Sequence, residues 1–350
     1  MRPQSPGAAP VSNPIEHLPL TVPEAGCLTQ VVDRLYWLRM PLPYALDHIN
    51  LWLAEDDDGW TLIDCGIKND QVRDIWRQFF SNTFAKKPLS RIVCTHCHPD
   101  HMGLAGWLAA EWDAVFVTTR GEWGMGRLLS LEGAYDPGVY QRHFLENGCG
   151  AEFAAAGAQR FSSTHQIYSP VPSSFTCLRA GSTVHMGGAD WRIIVGLGHT
   201  IEQACLYSES LNILIAGDQI LPRITPAIIL QSHEPTGNPL HDFLDSNRQF
   251  RALPADVTVL PSHHQPFTGL HPRLDDYDRH HQDRLAKTGA ICTSPMTAFE
   301  VSKQLFTRKL DAHQAYFAIG ETLAHLRYLE LDGRLVRTLE DGIARYVRQN

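Results

Sequence analysis

The sequence predicts an α/β fold of the αββα kind, two packed sheets with helices outside, carrying a helical insertion and a helical C-terminal module. Three observations lead there. Short strand-like runs recur between residues 34 and 260 with amphipathic helical stretches among them. Side chains able to ligate a metal fall at the ends of those strands. From Leu270 onward the pattern turns helical and closes on a hairpin signal.

Residues 1–28 are rich in Pro, Ala and Ser, lack the apolar stretch of a signal peptide, and are expected to form a disordered arm. Arg34–Leu38 and Asn50–Ala54 are β-type runs, and the acidic turn Glu55–Gly59 leads into Trp60–Asp64 as a hairpin. A helix is expected around Asn69–Phe80, a strand at Arg91–Thr95, a helix at Leu104–Glu111 and a strand at Ala114–Thr118. Residues 121–161 break this rhythm and read as mostly helical. Trp123, Met125, Leu128, Leu129, Tyr135, Tyr140 and Phe144 give this insertion an apolar face, expected to act as a lid over a substrate pocket that His233 also lines. Strands follow at Thr183–Met186, Trp191–Val195, Gln203–Ser208 and Asn212–Ala216, then a helix at His241–Leu253 and a strand at Val257–Leu260. A catalytic domain over 29–269 accounts for these elements.

In the tail, Arg273–Lys287, Met296–Phe306 and Gln314–Glu330 have helical apolar spacing. Leu335–Leu339 and Ile343–Val347 flank Asp341-Gly342, a strong hairpin signal. Helices followed by a hairpin make a winged-helix module, placed over 270–350. Its basic and acidic residues nearly balance, so a structural or homodimer-forming role is favoured over DNA readout.

Composition narrows the function classes. Hydrophobic residues make up 43% of the chain, ample for a large core. A formal charge of −8 leaves no global basic field for nucleic acid, and no apolar run approaches a membrane span. The eight cysteines have no disulfide framework spacing, which points to a reducing cytoplasm. Cys94 and Cys97 form a C-x-x-C pair, but no second pair completes a zinc set, and they read as incidental thiols.

The chemistry is concentrated in Thr95-His96-Cys97-His98-Pro99-Asp100-His101, which packs three imidazoles and a carboxylate into one loop after a buried strand. His96 and His98, at alternate positions, can face one metal while Asp100 and His101 turn toward a second. Nitrogen and oxygen donors of this kind suit Zn²⁺ first, with Fe or Mn as alternatives. His280 and His281, among Asp and Arg, read as a solvated helix face; His143, His165, His185, His313 and His325 read as structural.

With this motif, the chain resembles the metallo-β-lactamase superfamily. Further matching motifs follow in family order: Asp64 in Leu-Ile-Asp-Cys-Gly, His199 in Gly-His-Thr, Asp218 in Ala-Gly-Asp-Gln, and His263 in Leu-Pro-Ser-His-His. At the last of these the family more often has Pro-Gly-His-Gly, and register favours His263 over His264. The resemblance implies that His96, His98 and His199 hold one metal, that Asp100, His101 and His263 hold the other, and that Asp218 bridges. Asp64 would orient a ligand from outside, and Asp100 would also orient a metal-bridging hydroxide nucleophile. Asp218 is a carboxylate that the superfamily's β-lactamases generally lack, and the tyrosine that lactonases often carry after it is absent. The remaining resemblance is to the glyoxalase II branch. A small acyl substrate, a thioester or ester, is therefore expected, with lactone or β-lactam hydrolysis, or nucleic-acid processing through the winged helix, as alternatives.

Overall fold

Strands buried on both faces need cover on both sides, and this chain supplies it with two seven-stranded sheets laid face to face and helices outside. The computed structural model describes residues 15–134 and 136–349. β1 (Glu16–His17) joins the second sheet. The first sheet runs in chain order: β2 (Leu28–Val32), β3 (Leu35–Pro41), β4 (His48–Glu55), β5 (Trp60–Ile63), β6 (Leu89–Val93), β7 (Val115–Thr118) and β8 (Thr176–Cys177). The second also holds β9 (Thr183–Met186), β10 (Ala189–Gly196), β11 (Gln203–Ser208), β12 (Ile213–Gly217), β13 (Thr258–Pro261) and β14 (Phe267–Thr268), ordered β1-β14-β13-β12-β11-β10-β9.

The helices are α1 (Asp70–Asn82), α2 (Pro99–Met102), α3 (Ala105–Trp112), α4 (Arg120–Ser130), α5 (Pro137–Glu146), α6 (Ala151–Ser162), α7 (Pro239–Asn247), α8 (Leu270–Ile291), α9 (Ala298–Leu305) and α10 (Ala312–Leu331). A separate hairpin, β15 (Leu335–Glu340) and β16 (Ile343–Arg348), closes the described chain. Among the described residues no helix is long and apolar enough to cross a membrane.

Three apolar layers hold this together. Between the sheets lie Trp37, Trp52, Ile63, Val93, Trp191, Leu206 and Ile215, with the Trp37 and Trp52 rings stacked at 6.1 Å. Outside the first sheet, α1 buries Val72, Trp76 and Phe79 at helical spacing, and Asn69 caps it by accepting the Val72 N–H. Outside the second sheet, Phe243, Phe250 and Val259 share one continuous core with Leu274, Tyr277, Leu323, Leu326 and Tyr346 of the tail. Helix α10 comes so close to the chain after Asp218 that a Cβ on Gly320 would meet Ile229 Cγ2 at 2.2 Å, and the Leu230 N–H donates to the Gly320 carbonyl there.

Strand direction places the functional loops. β5 and β6 are parallel; β10 and β12 each pair antiparallel with β11, and β12 is parallel to β13. The loops after β5, β6, β10, β12 and β13 therefore leave from C-terminal strand ends, and they meet where the Ala204 N–H donates to the Thr95 carbonyl across the two sheets.

Three expectations need correction. In the arm placed over 1–28, residues 15–28 are part of the fold: β1 pairs with β14, and Leu20 and Val22 pack on the inter-sheet core. Strands this short carry too little periodicity to be read from sequence; residues 1–14 lie outside the described residues. The insertion forms α4, α5 and α6, but its apolar face is largely committed to packing. Trp123 stacks on Phe175 at 4.7 Å and donates to the Pro172 carbonyl, while Tyr140 is 2% exposed and stacks on Phe161 at 3.9 Å. Finally, His281 is buried, not solvated, because it shares the Leu274, Tyr277 and Leu285 stripe of α8 and packs on Phe243.

Candidate metal centre

The His-rich loop begins where β6 ends and is pinned at both sides. The Cys94 N–H donates to the Val117 carbonyl, and the Tyr168 hydroxyl donates to the Cys97 carbonyl at 2.5 Å. His98 is in extended backbone and Pro99 opens the single turn of α2, as Pro favours at a first helical position. That turn carries Asp100 and His101 away from the His96–His98 stretch. One loop thereby serves two positions.

Two ligand groups result. Atoms of His96, His98, His199 and Asp218 lie within 4.8 Å of one another, and so do those of Asp100, His101 and His263. His96 Nε2 and His98 Nδ1 are 3.0 Å apart. Asp218 faces both groups: Oδ2 is 3.4 Å from His199 Nε2, while Oδ1 is 3.5 Å from His101 Nε2 and 3.4 Å from His263 Nε2. Asp100 Oδ2 completes the second group at 3.5 Å from His263 Nε2 and 3.7 Å from His101 Nε2.

The outward nitrogens are tied down. His101 Nδ1 is 2.8 Å from Asp64 Oδ2, His199 Nδ1 is 2.9 Å from the Ala227 carbonyl, and His263 Nδ1 is 2.9 Å from the His48 carbonyl. Each of these acceptors requires Nδ1 to carry the proton, which leaves a lone pair on the inward Nε2 of the neutral ring. Asp64 also accepts from the Thr95 N–H at 2.7 Å and the Thr95 hydroxyl at 2.8 Å. With its proton used there, Thr95 Oγ1 accepts from His96 Nδ1 at 3.0 Å, fixing that ring the same way. Asp64 reaches both partners from φ 62°, a left-handed conformation that a short polar side chain tolerates.

Charge in the site follows from burial and neighbours. Burial pushes His96 and His98 well below the usual imidazole range, and the adjoining imidazoles push the same way. Burial also disfavours charge on His101 and His263, but the carboxylates outweigh it and both are raised. Burial would raise Asp218, yet His263 and His101 hold it well below the carboxylate range.

The donors fit a resident cation. Among the described residues, His101 Nε2, His199 Nε2 and Asp218 Oδ1 are buried without a hydrogen-bond partner. Such orphaned polar atoms normally cost free energy, and here they come from separate loops yet converge on one volume. Nitrogen and carboxylate donors around a shared carboxylate suit a divalent metal.

The structure brings together His96, His98, Asp100, His101, His199, Asp218 and His263, with Asp64 directly behind His101. Of the expected pocket residues, Trp123 and Tyr140 are engaged in packing, His233 is exposed, and Tyr135 lies outside the described residues. His264 takes φ 68° and its carbonyl accepts from Asn50 Nδ2 at 2.7 Å, so the residue after His263 serves the backbone of that loop. Among the described residues neither Cys94 nor Cys97 joins a ligand group; Cys94 Sγ is 3.7 Å from Cys65 Sγ. Sequence reading missed Asn50, which holds the His263 loop, and Glu122, which contacts two ligand loops. A charge at position 122 in register with the buried Gly126 and Ser130 of α4 was the available signal for the second.

The family described as "Metallo-beta-lactamase superfamily" matches residues 45–263, and the one described as "Metallo-beta-lactamase-like, C-terminal domain" matches residues 285–349. Among solved structures, a beta-lactamase domain protein from Burkholderia ambifaria is 38% identical, with 94% of this chain and 96% of that one covered and a TM-score of 0.86. A metallo-beta-lactamase family protein from Thermus thermophilus is 28% identical, covering 91% of this chain and 100% of that one with a TM-score of 0.79. No curated protein matches this chain.

Proposed function

This chain is a hydrolase of the metallo-β-lactamase superfamily with a metal-binding His/Asp cluster, and from that premise we propose that it uses two divalent ions, Zn²⁺ foremost, to hydrolyse a small acyl thioester or ester. The observation that carries the reading is Asp218, with one carboxylate oxygen toward each ligand group. His96, His98 and His199 would hold one ion, Asp100, His101 and His263 the other, with Asp218 between them. Bound there, the ions would acidify a water and supply positive charge opposite the oxyanion of the tetrahedral intermediate.

The chain's own residues do the rest. Asp100 is the more exposed of the two ligand carboxylates, 18% against 11% for Asp218, which supports it as the group that would orient the attacking water. Asp64, Thr95 and the Ala227 and His48 carbonyls keep the rings of His101, His96, His199 and His263 in their ligating tautomer before substrate arrives. Apolar side chains stand exposed on two ligand-bearing loops, Ile201 two residues after His199 and Ile224 six after Asp218, and on the β3–β4 loop at Tyr44, whose hydroxyl pKa is raised by burial and then by the Asp100 charge. These exposed side chains favour a substrate with an apolar acyl part. The reading extends to a glyoxalase II-like branch, a catalytic domain that runs to 269 and takes in the β1 and β2 strands, and a winged-helix tail over 270–350 that serves packing, not nucleic acid.

The test is a hydrolysis screen over thioesters, esters, lactones, β-lactams and phosphodiesters, with metal content measured on the same sample. Turnover of thioesters or esters by protein carrying two ions is expected. Turnover confined to β-lactams or phosphodiesters, or full activity without metal, refutes the proposal.

A further inference from the structure

Glu122 is fully buried at the third position of α4, where a carboxylate ordinarily caps its own helix. Here it reaches across to two loops from different sheets. Oε2 accepts the Cys97 N–H at 2.8 Å, and Oε1 accepts the Glu202 N–H at 2.7 Å. Cys97 sits between His96 and His98, and Glu202 lies three residues after His199. The contact is reciprocal: the Gly121 N–H donates to Glu202 Oε2 at 2.7 Å, and the Thr119 hydroxyl donates to the Glu202 carbonyl at 2.7 Å. Close approach is built in, because a Cβ on Gly121 would meet Ile201 Cγ2 at 2.8 Å.

We infer that Glu122 is the positioning residue that sets the distance between the two halves of the first ligand group, His96 and His98 on one loop and His199 on the other. The inference rests on the metal reading above. It is specific to one group, since His101 and His263 are held separately by Asp64 and by the His48 carbonyl. A carboxylate suits the task because it offers an acceptor oxygen to each of two backbone N–H groups. An amide offers only one oxygen and turns its own donors toward the other N–H.

Metal-stripped wild type, Glu122→Gln and Glu202→Ala would be titrated with Zn²⁺ against a chromophoric chelator, with His199→Ala and His263→Ala marking which uptake step belongs to which group. In Glu122→Gln the step lost in His199→Ala is expected to weaken about 10- to 100-fold, the range for outer partners of metal ligands, while the step lost in His263→Ala keeps its affinity. Glu202→Ala, which removes only the reciprocal Gly121 contact from a half-buried position and leaves both Glu122 bonds, should weaken the same step less and reports on the clasp if Glu122→Gln does not fold. Two wild-type ions with unchanged uptake in both variants, or equal weakening of both steps, overturns the role of Glu122 alone. A wild-type protein that takes up no metal overturns the metal reading, and this inference with it.

Discussion

Replacing Asp64 by asparagine removes the group that decides which nitrogen of His101 carries a proton. The carboxylate satisfies three donors: the Thr95 N–H at 2.7 Å, the Thr95 hydroxyl at 2.8 Å and His101 Nδ1 at 2.8 Å. An amide cannot satisfy all of them. With its NH₂ at the Oδ1 position it opposes the Thr95 N–H. With its NH₂ at the Oδ2 position it opposes His101 Nδ1–H, and the ring must move its proton to Nε2, the atom that faces Asp218. A hydrogen bond to a charged group contributes about 1.5–3 kcal/mol, and about 1.4 kcal/mol is tenfold in an equilibrium constant. The ligating form of His101 should therefore be disfavoured roughly 10- to 100-fold. In a Zn²⁺ titration of metal-stripped Asp64→Asn, the uptake step assigned to Asp100, His101 and His263 should weaken by that factor while the His96, His98 and His199 step persists. Two steps of wild-type affinity in this variant would refute the tautomer argument.

Asp218→Asn should lose more than any single-ligand change, because one substitution removes the charge facing both groups; metal analysis should find at most one ion per chain, and retention of two would exclude Asp218 as the shared ligand. Deleting residues from 270 onward should yield aggregating protein that binds a hydrophobic dye, since Leu274, Tyr277, Leu323 and Leu326 complete the core over Phe243 and Phe250; a truncated chain that elutes as a sharp monomer with unchanged activity would contradict this. Acid should weaken the packing of α8 on α10. Burial holds His325 down at about 4 and His281, also facing His325, at about 2. Both rings stay neutral in the fold, while the unfolded chain takes up their protons below about 6.5. Their contribution is complete above that value and is lost as pH falls, by about 2–3 kcal/mol each near pH 4.5. Urea unfolding of metal-stripped protein at pH 7.5 and 4.5 should show a smaller acid loss in His281→Leu than in wild type; parallel losses would remove these histidines from the account.

Donor chemistry is legible from residue type and spacing alone. His96, His98, Asp100 and His101 lie within one loop, so their convergence depends on local backbone, and the spacing alone is enough to read it. Periodicity likewise marked most strands and helices, because alternation and helical stripes are local consequences of having a buried side, as at Trp60–Ile63 and Asp70–Asn82. Whatever depends on distant segments meeting emerges only in the packed fold. Asp218 faces two groups only because β12 lies beside β13, whose loop carries His263, and one strand (β11) from β10, whose loop carries His199, and Glu122 acquires its two partners only where the sheets close on α4. Whether an apolar face lines a pocket or a core is also a question of what lies opposite, and Phe175 and Phe161 answered it for Trp123 and Tyr140. His281 shows the same in reverse: a charged stretch of sequence hid a ring whose stripe faces Phe243. Residue type and spacing travel with the chain, whereas burial and partnership belong to the pair of surfaces that packing brings together.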